Sequence, residues 1–324
     1  MKTAIILPAY NEELVIEQVL MDFYSNMPDA EIYVIDNNSK DNTNKIAKDI
    51  MKKHNMKGNV LFVKKQGKAN AVRYAFQHID ADIYVMSDAD LTYPAYHLPD
   101  LIAPIVNGEA DMVVGDRHAT GAYKKENKRG FHNFGNWLVK YLIQKTFHSD
   151  LNDIMSGYRA FSKRFVKLYP ILSDGFELET EMSIHALDKR YSVVEIPIDY
   201  KDRIEGSYSK LSTFKDGAKV LKTIFSIFEN YRPLQFFSII SLILLTAGLA
   251  IGAAPIMEYI KNANHYITKV PSSILASSLI ILSVLSFMCA IILNTIQFYN
   301  KINYETQINL FSSSENELKP QIDK

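Results

Sequence analysis

The 324-residue chain has one cysteine, Cys289, and one tryptophan, Trp137. A single thiol excludes an intramolecular disulfide framework and a cysteine-based zinc site. Glycine and proline are sparse, at 13 and 11 residues, which excludes a fibrous chain, and an apolar content of 48% excludes a disordered one. Neither sign of charge is in excess, because 36 Lys+Arg balance 36 Asp+Glu. That balance gives no reason to expect nucleic acid as a partner. The common nucleotide fingerprints are missing too. Gly67-Lys68 lacks the glycine spacing of a P-loop, and no Rossmann glycine motif is found.

The most informative absence is one of position. Residues 234–300 carry only three charges, Glu258, Lys261 and Lys269. Within this gap lie two uncharged apolar runs, Phe236–Ala254 of 19 residues and Ile274–Leu293 of 20. At about 1.5 Å rise per residue, about 20 residues span a hydrocarbon core of about 30 Å. Uncharged runs of this length are rare in soluble cores, so the reading is a transmembrane hairpin joined by the linker Pro255–Pro271. Lys210, Lys215, Lys219, Lys222 and Arg232 precede the first run, against Lys261 and Lys269 in the linker. The positive-inside rule therefore expects residues 1–233 and the tail on the cytoplasmic side of the cell membrane. Thr3–Leu7 is too short for the apolar core of a signal peptide and is followed by Pro8 and acidic residues. Leu211, Phe214, Ala218, Leu221, Phe225 and Phe228 recur at helical spacing with lysines on the flanks. This predicts an amphipathic juxtamembrane helix lying on the bilayer, packed on the globular domain, or both.

In the first 200 residues, short apolar runs alternate with helix-like segments. Thr3–Leu7, Glu31–Asp36, Val60–Val63, Ile83–Ser87 and Met112–Gly115 read as strands, with helices near 12–25, 41–54, 68–79 and 97–107. Alternation of this kind predicts an α/β domain with a mostly parallel sheet. Ligands of such sheets bind beyond the carboxyl ends of the strands. Pro8-Ala9-Tyr10-Asn11-Glu12-Glu13 follows the first strand, and its proline and Asn read as a helix start. Asp36 ends the second strand, where a carboxylate can accept from a base or ribose hydroxyl. Gln66-Gly67-Lys68-Ala69-Asn70 follows the third, a glycine turn with a cation at a helix start, suited to phosphate. Asp88-Ala89-Asp90 follows the fourth. Two carboxylates one residue apart suit Mg²⁺ or Mn²⁺, which take oxygen ligands and leave positions for a substrate diphosphate.

Taken in order, Pro8–Glu13, Asp36–Asp41, Gly67–Asn70 and Asp88–Asp90 resemble the nucleotide-sugar half of family 2 glycosyltransferases with the GT-A fold. Asp153-Ile154-Met155-Ser156-Gly157-Tyr158-Arg159 and Arg203–Lys210 narrow the resemblance to polyprenyl-phosphate glycosyltransferases, similar to dolichol-phosphate mannose synthase. The resemblance covers roughly residues 3–232. It implies that Pro8, Tyr10, Asn11, Glu12 and Asp36 hold the base and ribose, and that Lys68 belongs to the nucleotide site. It implies that Asp88 and Asp90 hold the metal, that Ala89 lines the nucleotide site, and that Arg117 touches phosphate. Arg129 would approach the lipid phosphate, and Arg203 and Lys210 would close over the site. Two departures stand out. Thr92 replaces a common Gln after the metal motif, and Asn133 replaces a Ser after the acceptor arginine. Asp153 is the best candidate for a polar role near the anomeric carbon; it could equally orient Arg159 or cap the next segment. Asp90, Asp153, Arg117 and Arg203 form the candidate catalytic set. The acidic run Glu177, Glu179, Glu181 reads as a solvated helix face, with a place near the sugar as the alternative. His118, His132, His148 and His185 lack metal-ligand spacing and read as surface or packing residues.

The expected organisation is a cytoplasmic catalytic domain over 1–209, a juxtamembrane helix over 210–233, the hairpin over 234–300 and a cytoplasmic tail over 301–324, polar and disordered from Ser312. The expected activity is inverting, metal-dependent transfer of one sugar from a nucleotide-diphosphate donor to polyprenyl (undecaprenyl) phosphate. By analogy with bacterial relatives, UDP-glucose and UDP-N-acetylglucosamine are the favoured donors. Two other readings remain. A polysaccharide synthase would carry Gln-X-X-Arg-Trp, but Trp137 follows Asn136. The other is a non-catalytic or partner-dependent membrane scaffold that binds a nucleotide sugar; the intact Asp88/Asp90 pair and cationic set argue against lost catalysis but are compatible with dependence on a partner. Association of neighbouring hairpins into a homo-oligomer is left open.

Overall fold

The computed structural model describes residues 1–119, 130–172, 178–201, 225, 229–262 and 267–318, with the side chains of 130–136 and 315–318 outside that description. Its chain divides into two compact units, Met1–Val220 and Leu221–Lys324.

The first unit is built on one seven-stranded sheet in the order β3-β2-β1-β4-β6-β5-β7. The strands are β1 (Thr3–Ala9), β2 (Glu31–Asp36), β3 (Gly58–Phe62), β4 (Ile83–Met86), β5 (Met112–Asp116), β6 (Arg159–Ser162) and β7 (Val193–Pro197). Every adjacent pair is parallel except the two made by β6, which runs antiparallel to both β4 and β5. The crossovers are α1 (Ile16–Asn26), α2 (Thr43–Lys53), α3 (Lys68–His78) and α4 (Leu98–Val106). They are followed by α5 (Gly130–Phe147), the short α6 (Lys163–Leu168) and α7 (Leu178–Asp188). β4 is buried at all four positions, as expected of a central strand covered on both faces. The core gathers Ile5, Leu7, Ile32, Val34, Val85 and Val113 of the strands with Ile16, Leu20, Phe23, Leu98 and Leu101 of the helices.

Two sequence expectations change here. Pro8 does not begin a helix. It lies in β1 beside Ile35 of β2, and α1 begins only at Ile16. The strands β6 and β7 have no counterpart among the expected elements. Arg159–Ser162 is only four residues long, and β7 is half-buried along most of its length, so neither shows a long apolar run.

The second unit is an antiparallel pair of helices, α8 (Pro233–Lys261) and α9 (Val270–Leu318). Both are long and apolar enough to cross a membrane. At about 1.5 Å per residue they are about 44 and 73 Å long, against a hydrocarbon core of about 30 Å. α8 runs through Pro255, so the loop is shorter than the expected linker. α9 likewise runs to Leu318, through residues expected to be a disordered tail. Ser241 and Ser283 clasp the helices reciprocally, each hydroxyl donating to the other residue's carbonyl at 2.9 Å. Ser286 Oγ donates to the Phe237 carbonyl at 3.1 Å. A Cβ on Gly248 would stand 2.9 Å from Ile280 and 3.1 Å from the Ala276 carbonyl, so only glycine permits this approach.

Candidate active site

The polar residues collect at the carboxyl ends of β1, β2, β4 and β5 and in the turn before β6. The first two loops lace together. Asn11, at φ 54°, accepts from the Lys40 amide at 2.8 Å, and its own N–H donates to Ser39 Oγ at 3.1 Å. The Glu12 N–H donates to Thr43 Oγ1 at 2.8 Å. Asp36 is buried, accepting from the Ser39 amide at 3.0 Å and from Asn44 Nδ2 at 2.9 Å. These bonds shape the loop edge; Pro8 and Tyr10 are half-buried along it.

Beyond β3, Gly67 takes φ 123°, a conformation that L side chains rarely adopt, and its N–H donates to Asn37 Oδ1 at 2.6 Å. That turn starts α3 at Lys68. Its ammonium bridges two carboxylates, Asp88 beyond β4 and Glu179 of α7. Burial alone would push the lysine down, but the two carboxylates outweigh it and hold the ammonium charged, above its ordinary value. Gly157 lies against this group: a Cβ there would stand 2.8 Å from Asp88 Oδ2 and 3.1 Å from Lys68 Nζ. Asp88 is 28% exposed at its side chain, whereas Asp90 is 3% exposed as a residue. Asp90 Oδ1 accepts from the Thr92 hydroxyl at 2.6 Å and the Thr92 amide at 3.2 Å. Thr92 thus steadies the carboxylate. Ala89, between the two, is buried in the core.

Asp153 pairs with Arg117, not with Arg159. Arg117 Nε and Nη2 donate to its two oxygens at 2.7 and 2.8 Å, and the Arg117 amide donates at 3.1 Å. Burial would raise the Asp153 pKa, yet the Arg117 guanidinium overrides it and keeps the carboxyl below the usual range. Arg117 also stands 5.6 Å from the centre of the Tyr200 ring, a cation–π contact. Arg159 is fully buried; its guanidinium donates to the Ser156 and Ile154 carbonyls at 2.8 and 2.6 Å. The turn carrying Asp153 is held from further sides. Glu195 of β7 accepts the Asn152 and Asp153 amides, both at 2.7 Å, and Tyr93 Oη accepts the Gly157 amide at 3.0 Å. Burial, with Asp116 and Asp153 nearby, raises the Glu195 pKa despite those two amides.

Arg129, Arg203 and Lys210 lie outside the described residues, as do Glu177 and most of the expected juxtamembrane helix. Sequence reasoning missed Glu195, Tyr93 and Gly157 as supports of the site. It noted Glu179 only within an acidic run. In the structure Glu179 is buried on Lys68, while Glu181 accepts the Leu172 amide at 2.8 Å. His185 sits among Phe165, Tyr169 and Tyr191, a packing position. Trp137 is exposed and stacks on Tyr141.

Among the described residues no group of three or more His, Cys, Asp or Glu is arranged to hold a metal ion. Asp88 and Asp90 are a pair of hard oxygen donors. They fit a divalent cation that completes its shell with diphosphate oxygens and water, not one enclosed by protein alone.

A mostly parallel sheet with a carboxylate pair beyond its central strand is the architecture of the GT-A fold. The glycosyl transferase family 2 model matches residues 4–169, and the chain belongs to that family. It is similar to glycosyltransferase AglJ of Haloferax volcanii, at 30% identity over 83% of this chain and 86% of the relative. It is also similar to a dolichol-phosphate mannosyltransferase of Pyrococcus furiosus, at 29% identity over 73% of this chain and 64% of the relative. Among solved structures it shares the fold of glucosyl-3-phosphoglycerate synthase from Mycobacterium tuberculosis in complex with Mn²⁺, UDP and phosphoglyceric acid. That match has a TM-score of 0.55 and 19% identity, over 70% of this chain and 78% of the other. The chain is a glycosyltransferase of family 2.

Proposed function

We propose that this glycosyltransferase moves a single sugar from a nucleotide-diphosphate donor to polyprenyl phosphate at the cytoplasmic face of the cell membrane. The reaction depends on Mg²⁺ or Mn²⁺ and inverts the anomeric carbon. The reading rests on one conjunction: strand-end carboxylates and cations in the first unit, and two span-length apolar helices in the second. Such a chain works on a phosphate that is itself anchored in a bilayer. The dolichol-phosphate mannosyltransferase relative supports a lipid acceptor. UDP-glucose and UDP-N-acetylglucosamine are the favoured donors.

The chemistry asks mainly for charge stabilisation. A lipid phosphate monoester has a second pKa of about 6 and is largely ionised at neutral pH, so a strong base is not needed. Asp153, tied to Arg117 and held ionised, suits orientation of that guanidinium better than proton removal. Lys68 and Arg117 are fixed cations that meet the leaving diphosphate, with Arg203 and Lys210 assigned the same task. Asp88 and Asp90 would hold the divalent ion, which would supply further neutralisation of that leaving group. Loops one and two supply the cradle of the base and ribose through Tyr10, Asn11, Glu12 and Asp36.

The test is the purified protein with polyprenyl phosphate, Mn²⁺ and a panel of labelled nucleotide sugars. One donor is expected to give a lipid-linked product. No product from any donor, in native membranes as well as detergent, overturns the proposal. Asp90→Ala is expected to abolish transfer without loss of membrane insertion; retained transfer would refute the metal role.

A further inference from the structure

Lys68 is placed unusually for a residue expected to meet phosphate. Its ammonium is not directed at open solvent. It is shared between Asp88, half of the carboxylate pair, and Glu179, which comes from 111 positions along the chain. The lysine and Glu179 side chains are only 12% and 8% exposed, so solvent screens this group little. Gly157 closes one side, where any side chain would collide with Asp88 and Lys68. Asp88 therefore already has a counter-cation. Asp90 accepts from the hydroxyl and amide of Thr92. A divalent ion entering alone must compete with the Lys68 ammonium at Asp88. A diphosphate brings new negative charge, so that the ammonium and the divalent ion each gain an anionic partner.

We propose that Lys68, anchored by Glu179, is an internal counter-cation on Asp88 that suppresses divalent-metal binding until a nucleoside diphosphate arrives, and so makes the two ligands bind cooperatively. Glu179 is a positioning residue. It stops the flexible lysine from leaving the site, and it shares the ammonium so that Asp88 can release it. Coupling of this origin is reciprocal: the metal must raise nucleotide affinity by the same factor that the nucleotide raises metal affinity. The inference rests on the reading that Asp88 and Asp90 hold the metal.

The experiment is Mn²⁺ titration of the full-length protein in detergent, followed by the loss of the free-ion electron paramagnetic resonance signal, with and without UDP or GDP. For the wild type, nucleotide is expected to tighten Mn²⁺ binding by about tenfold or more, within the usual range of coupling between sites. Lys68→Met is expected to bind Mn²⁺ without nucleotide at least about fivefold more tightly than wild type, with most of the coupling gone. Lys68→Arg, which keeps the charge, is expected to stay near wild type. Glu179→Gln is expected to change the coupling factor in the wild-type background and to leave it unchanged in the Lys68→Met background. The double variant Lys68→Met/Glu179→Gln buries no unpaired Glu179, and it is expected to keep the tighter nucleotide-free binding should Lys68→Met alone not fold. If neither variant lacking the lysine binds Mn²⁺ more tightly than wild type without nucleotide, the proposal is overturned. Asp90→Asn separates the two readings. Wild-type Mn²⁺ binding in that variant would sink the metal site itself, whereas its loss alongside unchanged Lys68→Met binding would sink only the lysine's role.

Discussion

The ammonium of Lys68 and the guanidinium of Arg117 are each locked by carboxylates, and this sets what single substitutions do. Asp153→Asn leaves the buried Arg117 short of its charge partner. Breaking a buried pair from one side costs about 3–5 kcal/mol. We expect that variant to lose stability of this order in chemical denaturation, together with transfer activity. Gly157→Ala is expected to be milder in stability, about 1–3 kcal/mol for an overpacked site. Its activity is expected to fall at least about tenfold, since the added methyl displaces Asp88 and a small misplacement of a reacting group is costly. Steady-state kinetics of that variant, beside its thermal melt, check both. His185 supplies a pH prediction. Burial among aromatic rings lowers its pKa from 6.5 to about 4, so the folded protein keeps it neutral. The unfolded chain takes up a proton as pH falls below 6.5, and the folded one does so only near 4. Stability is therefore full above about pH 6.5 and declines between there and about pH 4, by about 3 kcal/mol. Melting temperatures of wild type and His185→Gln across this window should converge as the pH falls.

Among the elements, α8 and α9 are held together by close backbone approach at Gly248 and by hydroxyl-to-carbonyl bonds between serines. In lipid, apolar side chains gain little by leaving their surroundings, so close backbone approach and polar contacts carry the association. The Ser241–Ser283 clasp and the Gly248 contact supply these two terms. The double variant Ser241→Ala/Ser283→Ala is expected to cost only about 1–2 kcal/mol, because the helices still fit. Gly248→Leu is expected to cost more, because it forces them apart. Thermal midpoints in detergent rank the two, and a milder Gly248→Leu would contradict the packing argument. In the first unit, β6 plays the comparable part. Its antiparallel insertion between β4 and β5 brings the Asp153 turn next to the ends of both neighbours.

For the molecule as a whole, the strand-end carboxylates and cations and the two span-length apolar helices belong to different units of the chain. Removing residues 234–324 is expected to release much of the protein from membranes, as measured by sedimentation. Any bound remainder should dissociate at high salt if the basic segment before the hairpin lies on anionic lipid. Full retention through salt washing would contradict the hairpin as the anchor.

The strand–helix alternation, the strand-end motifs and the two charge-free runs were legible because each is local. A run of 19 or 20 apolar residues and a carboxylate pair one residue apart can be read from the chain without any distant partner. The order of the sheet, the antiparallel β6 and the half-buried β7 were not legible, since short strands with mixed burial draw their stability from neighbours far along the chain. The continuation of α9 past its apolar run was hidden for a different reason: polar residues are compatible with both a helix and a tail. The partners within the site were out of reach of sequence as well. Lys68 and Glu179 lie 111 residues apart, and Arg117 and Asp153 lie 36 apart. Sequence by itself determined the α/β architecture, the polar groups at the strand ends and the two span-length apolar runs. Only the tertiary structure decided which carboxylate answers which cation, because buried charges must find partners and the fold selects which ones come within reach.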